Sequence, residues 1–488
     1  MSVSSKIFIS ADHGLAIVYF LQSDVVPTLL EKGAEVVLLT DDGLMNQITR
    51  RFGQPGLTFE GLRIQEARRY FETVSGSTQW WLNFLRRVGA SNRINDEAMT
   101  SHVRQVEVEA EGKRRMLMPL MKAFIGVLRR SKAARQWLIR RQQQYSPDLY
   151  SDLFEKYRSA GSGPDLVVAS TPGWRMDRYL LRQATHRGVK TAAVVVGWDN
   201  PSSYSLPGAL VDHITCWSQI QREELVLGSD WDPSRVNIGG IPSYDGYFRR
   251  QWLMPREDYF RQHGLDPQRK LLGYACSFVT FSPNFQNIEA LARLVANDSL
   301  VEPAQLLVRL HPNHFMPEPL FTGERERIRR LARELPYVHV VEPVPLGGEL
   351  GYYSGEDMPE KTSMMAYSDV FLTVYSTMVV EAAIHNRPIV SVCFDAPGGW
   401  NQPGRFSLAL SEIGNWPTHQ RFRMAQAGRV ALDHGQLKEA INMYLANPTM
   451  DSEQRQKFIH DEVTFTDGSA GRRTGEFLYS LIDKKQVL

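Results

Sequence analysis

The sequence predicts an α/β protein built from two doubly wound domains. Three observations carry that expectation. Apolar runs of four to seven residues recur with helical spacers between them, the pattern of a parallel sheet covered on both faces. The runs fall into two series, separated by IPSYDGYFRRQWLMPRE, where turn residues and charges interrupt the pattern. A chain of 488 residues also exceeds what one ordinary core organises, so two domains are the natural expectation.

The first series opens with KIFIS, the loop ADHG, a helix over 21–32 stopped by Gly33, and the strand AEVVLLT. A second unit begins at PDLVVAST, passes the helical DRYLLRQATHRG and returns at KTAAVVVGW; HITCWS and RVNIGG add two short strands. The second series holds KLLGYACS, QLLVRLHP, YVHVVEP, DVFLTVYST and PIVSVCF. We place an N-terminal domain at 1–250 and a C-terminal one at 251–455, with the boundary near 243–262. A mostly helical insertion without strand signals, about 65–160, separates the first two units.

Composition excludes more than it assigns. A net charge of +2 gives the whole chain no bias toward a polyanion, so local distribution must speak for partners. Cys216, Cys276 and Cys393 are widely spaced and form no C-x-x-C pair, a reduced, cytosolic pattern without a disulfide framework or zinc site. No secretory signal and no membrane-spanning segment are expected. Within the insertion, residues 112–147 carry ten basic side chains and no acid, interleaved with Met116, Leu120, Phe124, Trp137 and other apolar residues. Such a segment reads as an interfacial surface for anionic lipids. The alternative is an amphipathic helix pair with its basic face in water, and nucleic acid is not an expected partner.

Ligands of open parallel sheets bind beyond the carboxyl ends of the strands. There DVFLTVY ends at Ser376-Thr377 and a helix follows at once, so hydroxyls and backbone N–H groups meet where a phosphate could sit. Plain N-capping is the alternative. A capping box would need Glu or Gln where Val379 and Val380 stand. Glu381 instead lies four residues after Thr377, on the same face and one turn along, where it can accept hydrogen bonds from a ribose. The strand QLLVRLHPN ends in His311-Pro312; the proline stops the ladder and leaves the imidazole at the strand tip, as a diphosphate ligand or leaving-group acid. Arg309 shares the His311 face and either adds charge to that cleft or pairs with an acid.

"RLHP" followed by "SDVFLTVYSTMVVEAAIHNRPIV" resembles the GT-B glycosyltransferase superfamily, in the branch of CDP-glycerol glycerophosphotransferases and capsule-polysaccharide transferases. In that branch a His-Pro pair and a Ser-Ser or Ser-Thr pair hold the phosphates of a nucleotide-activated donor. The likeness covers most of 160–480, is weaker over 1–60 and is absent over the insertion. It implies donor-nucleotide roles for His311, Ser376, Thr377 and Glu381, beside which Arg309 stands as a further donor-site candidate from its place on the strand. "FTDGSAGRRTGEFL" resembles a closing segment that crosses back to the first domain, here 456–488. The phosphotransferase branch carries Trp-His-Gly-Thr where this chain has Trp198-Asp199-Asn200, which argues against transfer of glycerol phosphate. Asp41-Asp42-Gly43 is similar to a sialyltransferase motif, but a turn after AEVVLLT explains it better.

The resemblance further implies a general base from the first domain, for which Asp199, His13 and Asp12 stand at strand ends, each with turn formation or capping as its alternative. No D-x-D motif ends a strand, so no catalytic metal and no cofactor are implied. Leaving-group charge would then fall to His311, Arg309 and the helix terminus. The loop DAPGGWNQPGRFS, with Asp395, Trp400 and Asn401, either touches the donor sugar or is a surface connection. The expected protein is a metal-independent glycosyltransferase of GT-B fold, at the cytoplasmic face of a membrane, using a UDP, GDP, CMP or CDP sugar in cell-surface polysaccharide or glycolipid assembly. Its acceptor would be a glycan or a lipid-linked glycan. The rival expectations are a CDP-glycerol-type glycerophosphotransferase and a membrane-docked scaffold that has lost chemistry. A sugar-nucleotide epimerase is disfavoured, because nothing resembles its Ser-Gly-Gly phosphate loop.

Overall fold

The computed structural model describes residues 4–159 and 163–482. Residues 1–3, 160–162 and 483–488 belong to the segments expected above but lie outside the described residues. Two all-parallel sheets organise the chain. The first contains β1 (Lys6–Ser10), β2 (Glu35–Thr40), β3 (Leu57–Gly61), β4 (Leu166–Ala169), β5 (Lys190–Val194), β6 (His213–Cys216) and β7 (Val236–Ile238), in the order 3-2-1-4-5-6-7. The second contains β8 (Lys270–Ala275), β9 (Ala304–Arg309) and β10 (Val338–Val341). An antiparallel hairpin of β11 (Pro345–Gly347) and β12 (Tyr352–Tyr353) follows. The second sheet then resumes with β13 (Val370–Thr373), β14 (Ile389–Val392) and β15 (Arg429–Ala431), in the order 10-9-8-13-14-15. Winding direction reverses at β1/β4 and at β8/β13, which opens a crevice at the carboxyl end of each sheet.

The central strands are apolar because helices cover both faces: every residue of β4, β9, β13 and β14 is buried. A further cluster joins the two halves, packing Trp198, Trp217, Tyr244, Phe371, Phe422 and Phe458 together. The helix Ala470–Ser480 lies on the helix Val25–Glu31, where a Cβ on Gly471 or Gly475 would come within 2.7 Å of Asp24 or Thr28. Its first amides, of Ala470 and Gly471, donate to Asp245 at 3.0 and 2.8 Å.

The structure differs from the sequence reading in several elements. The helix expected over 21–32 is two helices, Ala16–Leu21 and Val25–Glu31, separated at Ser23, whose hydroxyl donates to Tyr19 O at 2.5 Å and accepts from Val25 N at 3.2 Å. β3, β15 and the hairpin were not anticipated. The insertion comprises the helices Ile64–Thr73, Gly76–Val88, Asp96–Glu109, Gly112–Arg130, Lys132–Gln142 and Ser151–Lys156. Among the described residues no helix is long and apolar enough to cross a membrane.

The hairpin leaves the second sheet and docks on the first. Tyr352 donates its hydroxyl to Ala11 O at 2.5 Å, Tyr353 N reaches Gly14 O at 2.9 Å, and Glu349 N reaches Asp41 Oδ2 at 2.6 Å. Asp41 also accepts from Gly43 N at 2.9 Å, and Asp42 accepts from Arg63 N and Ile64 N, both at 3.2 Å. Both acids of the Asp-Asp-Gly stretch therefore hold turns and segment ends.

Candidate active site

A cavity of about 280 Å³ opens at the carboxyl ends of β8, β9 and β13. Leu15, Val18 and Val196 of the N-terminal half form one wall, and Tyr244 and Tyr247 another. Arg309, His311, Ser376, Thr377 and Glu381 all line it, so five residues spread over 73 positions of sequence meet around one space.

β9 stops at Arg309, and Pro312 begins a 3₁₀ turn that presents the imidazole of His311. His311 Nδ1 accepts from Asn313 N at 3.1 Å, so the hydrogen-bond network assigns the neutral ring's proton to Nε2. Burial first, then the neighbouring His314, Arg309 and Lys361, lowers its pKa to about 3. His311 is thus a neutral donor in the free protein. His314, fully buried behind it, accepts from His311 N at 3.0 Å and holds the turn.

After β13 the chain enters the helix Met378–Ile384 through Ser376 and Thr377. Ser376 Oγ accepts from Met378 N at 3.3 Å, whereas the Thr377 side chain caps nothing. The amides of Ser376 and Thr377 donate to no acceptor among the described residues. One turn on, Glu381 is 6% exposed; its Oε2 lies 2.6 Å from Lys361 Nζ and accepts the Tyr247 hydroxyl. Its Oε1 accepts no hydrogen bond from the described residues. Arg309 combines both of its expected fates: it lines the cavity while pairing with Asp357 and, at 3.2 Å, with Glu360. Burial pushes Glu360 up to about 7, against the pull of Arg309.

The three base candidates separate. Asp12 is buried and accepts from Asp177 N at 2.7 Å and Arg175 Nε at 3.4 Å; it does not line the cavity. Burial raises its pKa and, together with the Asp12 charge, pushes Asp177 up to about 7. His13 accepts from Leu15 N at 3.1 Å, beside the cavity wall but not in it, and burial followed by Arg175 lowers its pKa to about 3. Asp199 lines a second cavity of about 600 Å³, which shares Phe278 with the first. It accepts the Ser203 hydroxyl at 3.0 Å, and burial raises its pKa. Phe278 also meets His311 edge to face at 5.8 Å.

The loop residues Asp395, Trp400 and Asn401 do not line either cavity. Asp395 borders a separate hollow with Arg327 and Arg405, Trp400 Nε1 points to Asp395 at 3.5 Å, and Asn401 accepts from Arg104 of the insertion at 2.9 Å. Sequence reasoning missed Lys361, Tyr247, Tyr353 and Asp357, which also line the first cavity. A signal existed for Lys361: the helix Met358–Tyr367 carries Glu360 and Lys361 among buried Met358, Met364 and Met365, the same anomaly that drew attention to Glu381. Among the described residues no group of three or more His, Cys, Asp and Glu side chains is arranged to hold a metal ion.

No protein-family model matches the chain, and no curated protein sequence does. Its fold is shared with known structures. A UDP-GlcNAc 2-epimerase from Neisseria meningitidis bound to UDP-GlcNAc superposes with a TM-score of 0.52 at 12% identity, over 97% of this chain and 99% of that one. MnaA of S. aureus in complex with UDP gives 0.52 at 12%, over 99% and 98%. A glycosyltransferase from Rickettsia africae gives 0.50 at 10%, over 99% of both chains. An epimerase therefore stands beside a glycosyltransferase among the similar folds, although the sequence offers no Ser-Gly-Gly loop. What the likeness defines is architecture: the chain has the GT-B fold, two parallel α/β sheets of seven and six strands with a cleft between them.

Proposed function

We propose that the protein is a glycosyltransferase that moves a sugar from a nucleotide-activated donor to a hydroxyl acceptor, in assembly of a cell-surface polysaccharide or glycolipid. The observation that carries this reading is the convergence of His311, Ser376, Thr377, Lys361 and Glu381 on one cavity at the carboxyl end of the second sheet. There a diphosphate meets the His311 Nε2–H, two hydroxyls, two unengaged amides and the Lys361 ammonium, while ribose hydroxyls find Glu381 Oε1. Asp199 is the base we favour, because it faces the adjoining cavity and burial makes its carboxylate a better proton acceptor. In the step, the acceptor hydroxyl gives its proton to Asp199 and its oxygen bonds the sugar's anomeric carbon. The bond from that carbon to the diphosphate oxygen breaks, and its electron pair leaves on the diphosphate.

The second cavity favours transfer over epimerisation, which needs no second substrate. The insertion adds a place of work. Met116, Leu120 and Val127 are exposed and share one face of the helix Gly112–Arg130, Trp137 is exposed on the next helix, and Lys113 and Arg130 flank the stripe. We read this as contact with an anionic membrane surface on the cytoplasmic side, close to a lipid-linked acceptor.

A thermal-shift series with UDP, GDP, CMP and CDP, followed by turnover of the matching nucleotide sugars with a lipid extract, tests the proposal. One nucleotide should stabilise the wild type, and His311→Ala should weaken that effect. Stabilisation by none, or equal stabilisation of both proteins, would refute the donor site. Acceptor-independent isomerisation of the nucleotide sugar would instead establish an epimerase, and binding without turnover a scaffold.

A further inference from the structure

We propose that the second cavity binds a saccharide bearing a carboxylate or phosphate, recognised by Arg87. This deepens the transferase reading and rests on it for the claim that the ligand is the acceptor. The cavity, about 600 Å³, lies between the helices Gly76–Val88 and Asp96–Glu109 of the insertion and the segment 404–408 of the C-terminal half.

Arg87 reaches this space from the end of its helix. Its one hydrogen bond goes to His102 Nδ1 at 3.2 Å, its Nε is buried without a partner, and it forms no ion pair among the described residues. His102 is 4% exposed. Because it accepts at Nδ1, its proton sits on Nε2, and the Gln105 side chain and Ser203 backbone are the polar groups that act on the ring besides Arg87. Arg87, half-buried and 5.8 Å from the Tyr204 ring centroid, thus lines the cavity with no carboxylate partner among the described residues, a charge that an anionic ligand would meet.

The lining sets Arg87 against the carboxylates of Asp199 and Glu109. Outside the lining, Arg86 and Arg175 act on the Tyr204 hydroxyl in the same sense as Arg87 and opposite to Asp199, with Arg175 already paired to Asp12. Asp199 and Glu109 are near enough to act on Arg87, yet neither pairs with it; Glu109 is exposed and engaged by Gln105 at 3.3 Å. Asp199 keeps acceptor capacity for a hydroxyl beyond its single bond from Ser203. The exposed ring of Phe278 supplies an apolar surface of the kind that packs against the C–H face of a pyranose, while Tyr204 is stacked on Trp174. Hydroxyls would satisfy Asp199 and the Phe278 ring would take the sugar body, but neither would balance Arg87. An anionic substituent does both jobs at once.

Calorimetric titration of the full chain with methyl glucuronoside, glucose 6-phosphate, methyl glucoside and inorganic phosphate tests this. The two charged saccharides should bind at least about tenfold tighter than the neutral one. Arg87→Gln should remove that preference and Arg87→Lys keep part of it, with nucleotide-induced thermal shifts unchanged in both. Equal affinities for charged and neutral saccharides, or a preference that survives Arg87→Gln, would overturn the proposal, and so would phosphate binding as tightly as glucose 6-phosphate. Should Arg87→Gln not fold, the wild-type ratio and Arg87→Lys decide. Charged-saccharide binding without any nucleotide binding would leave this site standing and remove the transferase reading; nucleotide binding without it would do the reverse.

Discussion

Lys361 and Glu381 form an ion pair at 2.6 Å whose side chains are only 18% and 8% exposed, with the Tyr247 hydroxyl donating to the same carboxylate oxygen. Replacing Lys361 with Met leaves a buried carboxylate with one neutral partner. Breaking a buried pair costs about 3–5 kcal/mol, and the partial exposure of Lys361 places this one near the lower end. Glu381→Gln should cost a similar amount by stranding the ammonium. The double variant loses both charges together and should fall short of the sum by about 2 kcal/mol. Denaturant unfolding of the four proteins measures that coupling. Repeating it with whichever nucleotide binds adds a functional reading. A ligand at a hundredfold its Kd stabilises the wild type by about 2.7 kcal/mol. A charge-assisted contact from Lys361 to the diphosphate is worth about 1.5–3 kcal/mol, so Lys361→Met should lose most of that stabilisation at the same ligand concentration. Additive single variants would refute the pairing. Undiminished nucleotide stabilisation in Lys361→Met would refute the assignment of this cavity to the donor.

His311, held at a pKa of about 3 by burial, should show no imidazole titration between pH 5 and 8 by NMR in the free protein. Because its folded pKa lies below the unfolded value, its contribution to stability is present above about pH 6.5 and is lost as pH falls toward 3. A midpoint near 6.5 would contradict the burial argument. Asp199→Asn should slow transfer by about 10²–10⁴ while nucleotide affinity stays constant, and an active variant would return the base role to His13 or Asp12. Exchanging Met116, Leu120 and Trp137 for Ser should release the protein from anionic vesicles. Arg129→Gln should matter less, since Arg129 already pairs with Asp96 at 3.1 Å. Unchanged partition of the triple variant would sink membrane docking.

Most strands were legible because a parallel sheet buried on both faces demands runs of β-branched and aliphatic residues, and such runs are local in sequence. KIFIS, LVVA, KLLGYA and VFLT announce the centres of both sheets without help from any partner. β3 and β15 escaped because they are edge strands of five and three residues, and β12 is two residues long; their extended form depends on the neighbour they pair with.

The same division runs through the site. Ser376, Thr377 and Glu381 could be grouped from sequence because helical geometry places four-residue neighbours on one face. Proline after β9 likewise marked His311. Local spacing carries no information about contacts such as Tyr247 with Glu381, 134 residues apart, or Lys361 with the same carboxylate. Nor does it separate Asp12, His13 and Asp199, which lie in the segments that follow β1 and β5 of the first sheet. Strand order and the docking of the hairpin decided that Asp12 is sealed against Arg175 and Asp177 while Asp199 opens onto a second cavity. Sequence alone determined the fold class and one wall of the cleft, because both rest on periodicity. The opposite wall, and which acid faces it, came only from the tertiary structure, because that is where distant strands first become neighbours.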